Sequence, residues 1–140
     1  MNMQLPPSQD ALAHAVREVL PQARAAWLFG SAAQGRFRPG SDLDIAVDVA
    51  QPVPVMERWD AAQRLARQFG VDVDLLDFRR ISTVMQYQVL ATGTLLFDRD
   101  PTATAVYAGF VLSEYQNIQQ WRQPMVRQLA RRMAGAGAAT

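Results

Sequence analysis

The chain is predicted to be a single α/β domain, a mixed sheet of about four strands covered by helices and ending in a long helix, on three observations. Apolar residues recur at helical spacing in some stretches and in short strand-like runs in others, in the order helix, strand, strand, helix, strand, helix, strand, helix. The chain has 140 residues, of which 49% are hydrophobic, enough for one buried core and too few for a second substrate domain. The run from Val71 to Asp77 alternates apolar and acidic side chains before continuing apolar, as a strand with one buried face does.

The elements follow in order. Behind two prolines, Ser8 is placed to cap a helix reaching about Leu20, because Leu12, Ala15, Val16, Val19 and Leu20 share one face and Pro21 stops it. Residues 25–29 read as a short buried strand leading into Gly30-Ser31, with a helical turn over 32–35 and a loop over 37–41 containing Pro39 and Gly40. The second strand is expected from Asp42 to Val49, broken by residues 51–54. Met56, Trp59, Ala62, Leu65, Ala66 and Phe69 define a second amphipathic helix closed by Gly70, and Ile81, Val84, Met85 and Val89 a third closed by Gly93. A strand over 94–97 follows. A long helix from about Pro101 carries Val106, Phe110, Val111, Tyr115, Ile118 and Trp121, with an interruption expected near Pro124. The domain is expected to span 1–133, with its core at about 25–97 and the last helix at about 101–133, followed by a flexible small-residue tail over 134–140.

Composition narrows the function. A formal net charge of +1 argues against nucleic-acid binding driven by bulk charge, and no direct nucleic-acid binding is expected. All basic residues are Arg, which removes both a P-loop lysine and a lysine nucleophile. Cysteine is absent, so neither a disulfide framework nor a thiolate metal site is available. The longest apolar runs are too short to cross a bilayer and the amino terminus carries no signal-like segment, so a cytoplasmic protein without membrane association is expected.

The chemistry concentrates at Gly30-Ser31 and Ser41-Asp42-Leu43-Asp44. In a strand alternate side chains share a face, so Asp42 and Asp44 point the same way while Leu43 and Ile45 enter the core. Two anions so close repel unless a cation lies between them, and such pairs suit Mg²⁺, which takes carboxylate oxygens together with substrate phosphates. Phosphoryl or nucleotidyl transfer by two metal ions needs a third carboxylate, and Asp72, Asp74 and Asp77 are available. Asp74 is the choice, because a charge between Val73 and Leu75 in mid-strand is costly unless something cationic compensates it. Ser31 and the backbone amides of its turn form a nest for terminal phosphates. Arg36 and Arg38 are placed to meet phosphate or a partner, or else are solvated loop residues. His14 lies off its helix's apolar stripe, and the Trp residues read as core or interface.

Gly30-Ser31, the ten-residue spacer from Ala32 to Ser41, and Asp42-Leu43-Asp44 together resemble the signature of the polymerase-β-like nucleotidyltransferases. Within that superfamily the chain looks like the minimal nucleotidyltransferases, MNT proteins encoded beside a HEPN-domain ribonuclease toxin. The resemblance spans about residues 25–97, including Val73-Asp74-Leu75-Leu76-Asp77 and Gly93 to Phe97. It departs from the common Ala-Arg-Gly after Gly-Ser, with Ala33-Gln34-Gly35 in its place. It implies an antitoxin that neutralises a HEPN toxin by transferring AMP from ATP to a tyrosine hydroxyl. Gly30 and Ser31 would hold the nucleotide, and Asp42, Asp44 and Asp74 would be the catalytic, metal-binding set for two Mg²⁺ ions. A folded partner would supply the acceptor wall that a domain this small lacks, docking on the long helix. Two other readings stand beside this one: an antitoxin that blocks its toxin by occupancy alone, and an adenylyltransferase acting on a small molecule or RNA.

Overall fold

The computed structural model describes residues 6–138, with side chains to residue 135. Helix α1 (Gln9–Val19) starts where Ser8 accepts the Ala11 amide at 3.1 Å, satisfying a donor that the first helical turn leaves free. Strands β1 (Ala25–Phe29) and β2 (Leu43–Asp48) follow, then helix α2 (Val55–Phe69), which Gly70 ends in the left-handed conformation. Strand β3 (Val73–Asp77), a 3-10 turn (Phe78–Arg80), helix α3 (Thr83–Thr92), strand β4 (Thr94–Asp98) and helix α4 (Pro101–Ala138) complete the order. Ser82 caps α3 through the Met85 amide, and Asp100 caps α4 through the Ala103 amide, with Pro101 at the first helical position, where a missing N–H costs nothing.

The four strands lie in the order β3-β2-β1-β4. Hairpin partners β1 and β2 are antiparallel, as are β1 and β4, whereas β2 and β3 run parallel and are joined by the crossover helix α2. The two faces of β2 are sorted by alternation. Leu43, Ile45 and Val47 enter the larger core with Leu12, Val16 and Leu65 of α1 and α2. Ala46 and, from β1, Ala25 and Trp27 turn to the other face, where Phe78 and Val89 bury against them. Phe78 joins that layer, its ring 4.6 Å from Trp27 and 5.8 Å edge-on from Tyr107 of α4.

Several expectations are corrected. The second strand begins at Leu43, so Asp42 stands at the end of the preceding loop, exposed. The third begins at Val73 rather than Val71, because the chain is still leaving the Gly70 cap. Met56 and Trp59 lie on the exposed side of α2, whose buried side is made by Ala61, Ala62 and Leu65. Pro124 does not interrupt α4, which runs on through it as an exposed helix without the one backbone hydrogen bond that proline cannot donate. The helix continues through Ala138, and the rest of the expected tail lies outside the described residues. In α3 the buried polar residue is Gln86, which donates to the Phe78 carbonyl at 2.8 Å and to the Tyr107 hydroxyl at 3.1 Å.

Phe78 therefore links the sheet's second layer to α4, beside the contacts that α3 makes with that helix. Phe78→Ala should destabilise the domain by about 3–5 kcal/mol, the usual cost of emptying an aromatic site in a packed core. Urea unfolding followed by tryptophan fluorescence measures this, and a loss below 1 kcal/mol would mean that α4 is held elsewhere.

Candidate active site

The end of β1 meets the starts of β2 and β3, and the three chains deliver the candidate residues to one point. Phe29 pairs with Asp44, and Asp44 pairs in turn with Asp74 across the parallel ladder. Paired residues of neighbouring strands share a face, so the Asp44 and Asp74 carboxylates stand side by side on the side of the sheet opposite Leu43 and Ile45. Asp42, two residues before Asp44, contributes the third charge.

Immediately after Phe29 the chain turns at Gly30, whose φ of 74° is in the left-handed region. A second reason for glycine is space: a Cβ there would overlap the Asp44 carboxylate oxygen Oδ2. The turn thus lies directly against the acidic site. The Gln34 amide donates to the Gly30 carbonyl at 3.2 Å and the Arg36 amide to the Ser31 carbonyl at 2.8 Å, closing residues 30–35 into turns, and Ser31 is part-exposed at the start of them. Ala32, Ala33 and Phe37 anchor this loop on the main core. Arg36 and Arg38 are exposed, and Arg36 donates a side-chain hydrogen bond to Gln34.

Burial raises the Asp44 pKa first, and the charges of Asp74 and Asp42 raise it further. Each contribution opposes ionisation of a carboxylate among neighbours of the same sign. An oxygen-only, anionic set that resists its own ionisation fits a hard divalent cation, which would remove the repulsion. Among the described residues no acidic or histidine group of three is already drawn to ligand spacing.

The other acidic candidates separate cleanly. Asp72 precedes β3; its carbonyl accepts the Leu43 amide at 2.8 Å, and it lines a depression with Ser41 and Arg67 on the α2 side. Asp77 is buried and paired with Arg80 at 3.1 Å, while Asp48, equally buried, is held by Arg79 at 2.5 Å. Both belong to the opposite end of the sheet. Their pairing was not legible from spacing, although the Arg79-Arg80 pair directly after β3 is its only sequence trace. His14 is exposed and pairs with Glu18.

A mixed four-stranded sheet with a glycine turn pressed against aspartates at one end is the arrangement of a nucleotidyltransferase. The family described as polymerase beta, nucleotidyltransferase, matches residues 14–102, and the chain belongs to it. The chain is similar to the protein adenylyltransferase MntA of Shewanella oneidensis, with 34% identity over 119 residues covering 85% of each chain. It is also similar to a solved toxin-antitoxin structure with AMP-PNP, at 33% identity and a TM-score of 0.78 over 88% of this chain and 98% of that one. A structure of tri-AMPylated Shewanella oneidensis HEPN toxin in complex with MNT antitoxin matches at 31% identity and a TM-score of 0.71, over 86% of this chain and 94% of that one.

The raised Asp44 pKa has a testable sign. A carboxyl whose folded pKa exceeds its unfolded value favours folding below the unfolded value, 3.8, and that contribution is lost as pH rises through the folded value. In metal-free protein at neutral pH, Asp44→Asn should therefore melt at or above the parent, and the difference should shrink as pH falls toward about 4. Circular-dichroism melts across that range check it; a variant melting well below the parent at pH 7 would contradict the electrostatic account.

Proposed function

We propose that this protein is an antitoxin enzyme that transfers AMP from ATP to a tyrosine hydroxyl of a cognate HEPN ribonuclease toxin, neutralising it. The observation that carries the reading is the Asp44 and Asp74 pairing beside Gly30, in a chain that matches MntA over most of both lengths. The similar solved complexes, one with AMP-PNP and one with a tri-AMPylated HEPN toxin, support ATP as donor and the toxin as acceptor.

Ser31 and the amides of its turn grip the terminal phosphates, since free N–H groups and a hydroxyl at a tight turn favour anions. Asp42, Asp44 and Asp74 would hold Mg²⁺, two ions in all, which supplies charge neutralisation of the triphosphate and a lowered pKa for the acceptor hydroxyl. Asp74, exposed on the outer strand of the sheet, would serve the acceptor's hydroxyl. The tyrosine oxygen attacks the α-phosphorus, the bond to the β-phosphate oxygen breaks, and pyrophosphate leaves. The hydroxyl proton passes to the carboxylate set or to water. Dependence on ATP makes the cytoplasm the compartment of action. Among the described residues no helix is long and apolar enough to cross a membrane.

The test is label transfer from α-³²P-ATP to the toxin in the presence of Mg²⁺. Asp74→Asn should bind ATP nearly as the parent does and transfer about a hundredfold more slowly or not at all. Such a variant should also fail to protect cells carrying the toxin. Full protection by it would mean neutralisation by occupancy, and label on a small molecule or RNA would reassign the acceptor. Ser31→Ala should weaken ATP binding by about 1.5–3 kcal/mol, one hydrogen bond to a charged group, as measured by calorimetric titration.

A further inference from the structure

Asp44 and Asp74 are fixed by the sheet, each through its pairing in a ladder, but Asp42 is not, because β2 begins one residue later at Leu43. The direction of the Asp42 carboxylate is therefore set by the chain on either side of it. After it, the Leu43 amide donates to the Asp72 carbonyl at 2.8 Å, which ties the first residue of β2 to the residue before β3. Before it stands a four-residue turn, Arg38-Pro39-Gly40-Ser41. The Ser41 amide donates to the Arg38 carbonyl at 2.8 Å, and the Arg38 amide donates back to the Ser41 hydroxyl oxygen at 2.9 Å. Proline at the second position and a glycine at the third with a φ of 86° are what a type II turn demands. The backbone bond alone would close such a turn. The second bond, through the side chain, makes it a clasp whose last residue is joined directly to Asp42.

We infer that Ser41 is a positioning residue for Asp42: by holding the Arg38 amide, its hydroxyl fixes the direction from which the Asp42 carboxylate reaches a cation shared with Asp44 and Asp74. The inference rests on the metal-holding role proposed above for these three aspartates. Asp42 is close enough for its charge to act on Asp44, so like-charge repulsion pushes it outward. A carboxylate on an open loop would swing away from its neighbours. One tied on both sides keeps little freedom beyond its own two backbone dihedrals. The clasp lies at the surface, with Arg38, Pro39 and Gly40 exposed and Ser41 half-buried. Water can thus replace a lost hydroxyl at the Arg38 amide, and its removal affects the aim of Asp42 rather than the folding of the domain.

Mn²⁺ binding to the full chain alone, read from the electron paramagnetic resonance signal of the free ion, tests this without nucleotide or toxin. Ser41→Ala should weaken binding about threefold to tenfold, the worth of one hydrogen bond, while the circular-dichroism melt of the metal-free protein stays close to the parent's. Ser41→Thr, which keeps the hydroxyl, should bind as the parent does. Gly40→Ala should weaken binding likewise, because a Cβ there meets no atom within 4 Å and is opposed only by the positive φ of the turn. In an Asp42→Ala background, Ser41→Ala should have no further effect, since the group it directs is gone. A parent that binds no Mn²⁺ overturns the metal reading and this inference with it. Where the parent binds, a Ser41→Ala variant that binds as tightly overturns the positioning role alone. So does an undiminished loss in the Asp42→Ala background, which would give Ser41 a part of its own.

Discussion

The site depends on the register of β2 between its neighbours. A strand held on both sides cannot slip by one residue without sending Leu43, Ile45 and Val47 to the wrong face, and those three side chains are wholly buried. The apolar alternation therefore fixes Asp44 opposite Phe29 on one side and opposite Asp74 on the other. Hydrophobic burial thus imposes carboxylate crowding that the charges themselves resist. Burial first, and then the charges of Asp74 and Asp42, raise the Asp44 pKa, and the bare Cα of Gly30 lets the turn close against the same carboxylate.

The far end of the sheet solves the opposite problem. Asp48 and Asp77 are buried there, but each has a guanidinium: Arg79 for Asp48, and Arg80 for Asp77, with Arg80 also donating to the Val49 carbonyl at 3.0 Å. Arg79 in addition lies over the Tyr107 ring at 4.4 Å. Buried pairs of this kind add little net stability, because desolvation offsets attraction. What they do is fix the short turn after β3, and with it Phe78, the side chain on which α3 and α4 are seated. The same residue type is neutralised at one end and left to repel at the other, and the difference lies in which neighbours the turns bring.

Helix α4 divides similarly. Its first three turns are anchored by Tyr107 and Val111, and Tyr115 stacks on Tyr87 of α3 with ring centroids 3.8 Å apart. Past that stack the helix carries an apolar stripe that no part of its own domain covers.

Much of this was readable from the chain because local rules and the fold agree. Ser8, Gly70 and Gly93 mark helix ends through capping chemistry, so the fold class follows from the order of elements, and alternation places Asp44 on the face opposite Leu43 and Ile45, whereas Asp42 lies just before the strand that was expected to hold it. The desolvation cost that favoured Asp74 over Asp72 in the sequence does not set it apart, since both are exposed; the parallel pairing of β3 with β2 is what places the Asp74 carboxylate beside Asp44. Periodicity likewise could not say which flank of α2 faces inward, and Trp59 and Met56 proved exposed because the flank that packs is the one made by Ala61, Ala62 and Leu65. Pro124 was misleading because a proline weakens a helix locally without always ending it, and whether the helix runs on is a property of the whole element. Sequence determines what each segment prefers locally; which charges meet, and which are paired or left to repel, is decided by contacts between segments distant in the chain.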